Sequence, residues 1–308
     1  MGQGYVLAWA YRDGTEEVLP RNFPPSLLRT NGGPNTRVSP SVGSVAITMV
    51  TDGQDDIWKY DTSLDTLEPV TTHPADDTNP RWTPDEEGVV FSSTRDGGDW
   101  GLFTKRANGT GEATLLLNRP GVLTLAASTW SPDGTMLVFS EQTTDTGWDV
   151  WMLSMDGDPA PRVLTRTPDD ERAPSISPDG NWIAYTSNRS GQREVYVDRL
   201  PNTGQPERIS RDGGSVPQWS ADGRELTFRT RVFRQLSGVS FDPESGAFSP
   251  EEVVLEGNYA GTDYGADPNG VRFLVVKQAG APTEVDARND IVVVQNWFDE
   301  LQRLVPTP

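Results

Sequence analysis

The 308-residue chain has no cysteine and one histidine, His73. The first absence excludes disulfides, thiolate nucleophiles and cysteine-ligated zinc. The second excludes a histidine-rich metal site and confines any Ser–His–Asp arrangement to the surroundings of residue 73. Positive charge is also scarce. Against 45 Asp and Glu stand 26 Lys and Arg, a formal charge of −19. Such a field repels nucleic acid and anionic membrane, and no basic run offsets it, so cations are the natural small partners. No stretch approaches the roughly 18 apolar residues of a membrane span. The first residues, MGQGYVLAWAYRDG, lack the basic region and long apolar run of a secretory signal. A soluble chain is expected, with its compartment open.

What the chain does have is turns. It contains 30 Gly and 25 Pro, and 10 Trp to build a core. The tetrapeptide Ser177-Pro178-Asp179-Gly180 recurs as Ser131-Pro132-Asp133-Gly134. Looser copies begin at Thr83, Ser220 and Asp267, and a degenerate one at Ser39. The six starts lie 43 to 48 residues apart. An apolar residue stands before each turn: Val38, Trp82, Trp130, Ile176, Trp219 and Ala266. A β-rich run follows, then a second polar turn, an alternating run such as DIWKYD or EVYVDRL, and a short closing run. Alternation bounded by Gly, Pro and Asp turns reads as strands. Four strands in about 45 residues make one propeller blade. The expected fold is therefore all-β, one six-bladed β-propeller of four-stranded antiparallel blades over residues 1–308. The N-terminal strands within 5–20 match the third and fourth strands of other blades, which predicts that they close the ring. IVVVQNWF at 291–298 competes for the same place, and the tail 298–308 is expected to pack as a short helix. A closed ring has no free sheet edge, so a monomer is the default.

The turn with its preceding P-x-W or P-x-I, and YTSNRSGQREVYV after it, resemble the WD40-like (PD40) repeats of the TolB family over nearly the whole chain. LAWAYRDGTEEVLP and IVVVQNWFDELQRLVP resemble propellers of acidobacterial proteins that often follow a Ser/Thr kinase domain, although this chain has no kinase motif. The resemblance implies a propeller, often extracytoplasmic, and leaves the activity open.

Strand alternation supplies a ruler for a site. Counting back from the first residue of each turn, positions −2, −4 and −6 are expected to face the central channel. Position −2 carries Arg37 and Arg81; position −4 carries Asn35, Asn79 and Asp263; position −6 carries Asp77 and Glu171. Oxygen ligands converging on one axis suit a hard cation, so Asn35, Asn79 and Asp263 are the candidate ligands of Ca²⁺. Two alternatives stand beside this. In one, Arg37 and Arg81 pair with Asp263 and Asp77 as a plug; in the other, they present a positive spot to an anionic group. Asp77, Glu171 or His73, the last in the segment between blades one and two, would act as base or nucleophile. Two functions follow. One is a metal-dependent hydrolase of esters, lactones or phosphotriesters at the channel mouth. The other is a non-catalytic platform that binds a small molecule, peptide or protein segment.

Overall fold

The computed structural model describes residues 4–27, 35–156, 160–201, 204–231, 235–267 and 270–280; the side chains of 261–263 are outside the description. Among these residues the regular elements are all strands apart from a short 3-10 turn, Pro25–Leu27. The first hairpin is β1 (Tyr5–Tyr11) and β2 (Glu16–Phe23). Blade one follows as β3 (Thr36–Val38), β4 (Ser44–Thr51), β5 (Gln54–Asp61) and β6 (Thr66–Pro69). Blade two is β7 (Asp77–Trp82), β8 (Gly88–Asp96), β9 (Asp99–Arg106) and β10 (Thr114–Asn118). Blade three is β11 (Thr124–Trp130), β12 (Met136–Thr143), β13 (Gly147–Ser154) and β14 (Pro161–Thr165). Blade four is β15 (Glu171–Ile176), β16 (Trp182–Ser187), β17 (Glu194–Arg199) and β18 (Glu207–Arg208). Blade five is β19 (Gly214–Trp219), β20 (Glu225–Thr230) and β21 (Gln235–Asp242), with an outer strand split into β22 (Ala247–Phe248) and β23 (Glu252–Glu256).

The ring closes as the sequence predicts. β24 (Ala260–Ala266) and β25 (Arg272–Gln278) pair with the N-terminal hairpin in the order β2-β1-β25-β24. The β1–β25 register runs without a break from Tyr5 opposite Gln278 to Tyr11 opposite Arg272. The competing segment 291–298 and the tail 298–308 lie outside the described residues.

The recurring turn is a hydrogen-bonded corner between the first two strands of each blade. Gly134 N donates to Ser131 O at 2.9 Å, and the same bond recurs at Gly180, Gly223 and Gly270. The aspartate caps it: Asp133 Oδ1 accepts from Ser131 Oγ at 2.5 Å and from Thr135 N at 3.1 Å. Gly134 has a φ of 72°, in the region glycine occupies without cost. Its Cα side faces the ring of Pro84 in the preceding blade, and Gly180 and Gly223 face Pro132 and Pro178 in the same way. The tryptophan before the turn also reaches back one blade. Trp82 Nε1 donates to Arg37 O, Trp130 Nε1 to Trp82 O, and Trp219 Nε1 to Ser175 O.

The core sits between blades. One cluster joins Ala46 and Ile57 of blade one to Trp82, Val89, Phe91 and Phe103 of blade two. Burying each such large side chain is worth about 1.5–3 kcal/mol, which makes stacking of neighbours the main source of stability.

Candidate functional site: the central channel and the blade seams

The innermost strands do not alternate cleanly. In β7 the register passes from Thr78 opposite Ser92 to Arg81 opposite Val90, so Asn79 and Pro80 share one partner residue. β15 bulges identically at Ala173-Pro174, and β19 at Val216-Pro217. Asn79, Ala173 and Val216 take φ values of 54°, 51° and 54°, which turn the strand locally. The inserted residue reverses the parity of everything upstream of it. Position −6 therefore points away from the axis, and the expectation that Asp77 and Glu171 stand at the channel mouth is corrected.

Both acids are fully buried in the blade seams. Arg95 Nη2 donates to Asp77 Oδ2 at 2.6 Å, and Arg189 Nη2 to Glu171 Oε1 at 3.3 Å. Each arginine is held the same way. Ser93 Oγ accepts from Arg95 Nε, and Ser187 Oγ from Arg189 Nε. Arg95 lies 5.1 Å from both the Phe91 and Phe103 rings; Arg189 lies 5.6 and 4.9 Å from Tyr185 and Tyr196. Burial raises the pKa of Glu171, against the pull of Thr167, Arg189 and Ser187. Asp56, on the blade-one side of the first seam, is pushed up to about 6 by burial and by repulsion from Asp77 and Asp55, which outweigh its hydrogen bond from Thr71. The plug reading is corrected in part, because Asp77 pairs with Arg95 rather than Arg81.

At position −4 the structure brings Asn35 and Asn79 together across blades one and two. Asn35 Nδ2 donates to Asn79 Oδ1, and Asn79 Nδ2 donates to Leu125 O at 3.4 Å. Asn35 Oδ1 is buried with no hydrogen-bond partner. The third candidate ligand, Asp263, has its side chain outside the description. Among the described residues no group of three or more His, Asp or Glu is placed to hold a metal. His73 is exposed and separate from the channel set; its Nδ1 accepts from Ala75 N at 3.1 Å.

A cavity of about 500 Å³ occupies the axis, running from the bulges at Ala173 and Val216 down to the turn prolines. Arg37 and Arg81 line it, with Thr129 and Ser175 on the next two blades at the same level. Arg37 Nη1 donates to Thr36 O at 2.7 Å, and Arg81 Nε is buried without a hydrogen-bond partner. Gln218 is spent on closing the ring: its Nε2 donates to Tyr264 O at 2.7 Å and its Oε1 accepts from Ala266 N at 3.0 Å. Below this level Trp82, Trp130, Trp219, Pro84, Pro132 and Pro178 form an apolar collar. Sequence reasoning found the two arginines and missed the collar, because it assigned the turns to structure alone. A hollow of about 540 Å³ on the outside, between Arg12 and Glu225, is bridged by their salt bridge.

This fold and cavity define a six-bladed propeller with a ligand-sized axial channel. The TolB β-propeller domain model matches residues 107–281, and the chain belongs to that family. A protein solved under the name TolB from Agrobacterium tumefaciens superimposes with a TM-score of 0.71 at 20% identity, covering 90% of this chain and 99% of that one. Tricorn protease homolog 1 of Streptomyces coelicolor is 36% identical over 103 residues, 32% of this chain and 9% of the relative. The uncharacterised peptidase YuxL of Bacillus subtilis is 28% identical over 182 residues, 46% of this chain and 27% of the relative. The chain thus spans under a third of the length of either peptidase. Among the described residues no helix is long and apolar enough to cross a membrane.

Proposed function

We propose that this propeller is a substrate-binding module of the peptidase-type hydrolases, with the central channel as its binding site. The observation that carries this reading is the separation of the cavity from the acids. The channel offers hydrogen-bond donors and an apolar collar, while Asp77 and Glu171 are consumed by Arg95 and Arg189 in the seams. A cavity of about 500 Å³ is of a size that encloses a small ligand or a short peptide end. Two of its relatives are named as peptidases, which favours a peptide over a sugar or nucleotide. Titration of tripeptides against the tryptophan fluorescence of the collar tests it. Saturable quenching is expected, abolished when Ser175→Trp fills the channel and the melting temperature stays within a few degrees. Absence of binding by any tripeptide overturns the reading. So does turnover of an ester, lactone or phosphotriester that disappears in Glu171→Gln.

A divalent cation at Asn35, Asn79 and Asp263 is the second reading, favoured by the unpartnered buried Oδ1 of Asn35. Against it, Asn79 Oδ1 already accepts from Asn35, and Arg37 and Arg81 follow two residues along the same strands. A Ca²⁺-dependent rise in melting temperature reversed by EDTA, and absent in Asp263→Ala, would establish the ion.

A further inference from the structure

Twenty-six of the described residues line the axial cavity, and none of those is Asp or Glu. The charged groups among these described residues are two guanidiniums, Arg37 and Arg81, on neighbouring blades at one level. Arg81 Nε is buried with no hydrogen-bond partner. A buried guanidinium donor left unmade costs about 1–3 kcal/mol or more, so turning Arg81 toward an acceptor in the cavity is favourable. Of the neighbouring side chains at that level, Ser175 carries a hydroxyl that can donate to one, and the Thr129 hydroxyl, which donates to Trp130 O at 3.4 Å, can do so by rotating. Toward the turn face the wall changes character. Trp82, Trp130, Trp219 and Ile176 stand over a rim of Pro40, Pro84, Pro132 and Pro178, which are apolar and conformationally stiff.

A ligand that matches this wall has an anionic head and an apolar body. We infer that the channel binds a carboxylate-terminated apolar group, entering from the turn face with the carboxylate against Arg81 and Arg37 and the apolar body inside the tryptophan–proline collar. The C-terminus of an apolar peptide and a free aryl or alkyl carboxylate share this chemistry. The planar guanidinium suits a carboxylate better than an ammonium would, since two parallel N–H donors can face its two oxygens. The acidic exterior opposes the approach of highly charged anions, which selects for a single negative charge carried by a greasy body. The inference rests on the channel being a binding site, as proposed above, and adds the class of ligand.

The test uses the intact chain and three probes: the tripeptide acetyl-Leu-Leu-Phe with a free carboxylate, the same peptide as its C-terminal amide, and 4-phenylbutyrate. Calorimetry is expected to show the acid binding at least tenfold more tightly than the amide. Arg81→Gln should remove that preference while leaving the amide unchanged, and Arg81→Lys should restore part of it. Equal binding of acid and amide, or an acid preference that survives in Arg81→Gln, overturns the inference and leaves the channel a binding site. Failure of all three probes overturns it as well, and the fluorescence titration with other tripeptides then decides the wider reading separately. Competition by 4-phenylbutyrate assigns the recognition to the carboxylate and collar alone; its absence assigns it to the peptide backbone as well, and both outcomes support a carboxylate-terminated ligand. Should Arg81→Gln fail to fold, Thr129→Val, which removes one hydroxyl donor at the same level, is expected to weaken the acid several-fold and the amide not at all; equal effects on both would overturn the inference.

Discussion

Trp130 Nε1 donates to the main-chain carbonyl of Trp82 at 2.8 Å, one blade back around the ring. The wedge before the recurring turn is therefore both a packing group and a hydrogen-bonded staple between innermost strands. Trp151 presents the opposite case. Its Nε1 is buried with no partner, while its ring lies 4.7 Å from the Arg119 guanidinium. The same substitution should then have opposite signs. Trp130→Phe keeps a ring and leaves Trp82 O without its donor, costing about 1 kcal/mol. Trp151→Phe removes an unsatisfied donor and keeps a face for Arg119, so it is expected to be neutral or stabilising. Urea unfolding of the two variants side by side checks the contrast.

The seam pairs make a sharper prediction. Asp77 is fully buried and its Oδ1 has no hydrogen-bond partner, so among the described residues its ion-pair partner is Arg95. Arg95→Met leaves a buried carboxylate uncompensated and should cost about 3–5 kcal/mol. Adding Asp77→Leu removes the charge as well, and the double variant should recover most of that loss. A catalytic role for Asp77 makes a different demand, since it requires access to substrate. Chemical denaturation of the single and double variants reads the coupling directly.

Asp56 sets a pH dependence. Its folded pKa, about 6, lies above its ordinary value of 3.8, chiefly through burial. Between those two values the folded state holds the proton more tightly than the unfolded one. Stability from this group is thus fully present below about pH 4 and lost as the pH rises through 6. Asp149 and Glu171, both raised by burial, act in the same direction. The turn aspartates oppose them at the acid end. Asp85, Asp133 and Asp222 are lowered mainly by hydrogen bonds from Thr83, Ser131 and Ser220, and their contribution is lost as the pH falls through their folded values, below 3.8. The melting temperature is expected to peak at mildly acidic pH and decline toward neutrality. Asp56→Asn keeps an acceptor for Thr71 and should flatten the decline between pH 4 and 6. An identical slope in the variant would show that Asp56 does not titrate there.

The architecture was legible from the sequence because its signal is repeated. Six turns at one spacing fix six corners, and the surplus hairpin at residues 5–23 has a single vacant place to fill. The site was half legible, for a reason visible in the same strands. Pro80, Pro174 and Pro217 stand three residues before their turns, inside what otherwise reads as strand. Proline cannot donate to a ladder and is found at bulges. Read that way, the prolines announce the inserted residue and move Asp77 and Glu171 off the axis. The arginines that claim those acids were also announced, by the Ser-x-Arg spacing shared by Ser93–Arg95 and Ser187–Arg189. What the sequence withholds is the collar. Which turn prolines meet across the axis depends on the closed ring, a relation between residues more than 40 positions apart.

Closure itself is the last point to test. Lys277 on β25 and Glu16 on β2 form an ion pair whose side chains are 4% and 3% exposed. It ties the C-terminal half of blade six to the N-terminal hairpin across 261 positions of sequence. Lys277→Met leaves Glu16 buried and unpaired, in the blade where the N-terminal hairpin pairs with β25. A cost of about 3–5 kcal/mol is expected, as for any broken buried pair. Its location should make the loss local before it is global. The hairpin carries Leu7, Trp9, Leu19 and Phe23 into the core shared with blade one, so its release exposes the edge of β25 and the apolar face of blade one around Val45 and Ile47. Limited proteolysis should cut between residues 11 and 16 faster in Lys277→Met than in the parent, before the remaining blades are attacked. Hydrogen exchange should show the same order, with β1 and β2 losing protection first. Uniform loss across all six blades would mean that the ring opens as one unit and that this pair is no special latch.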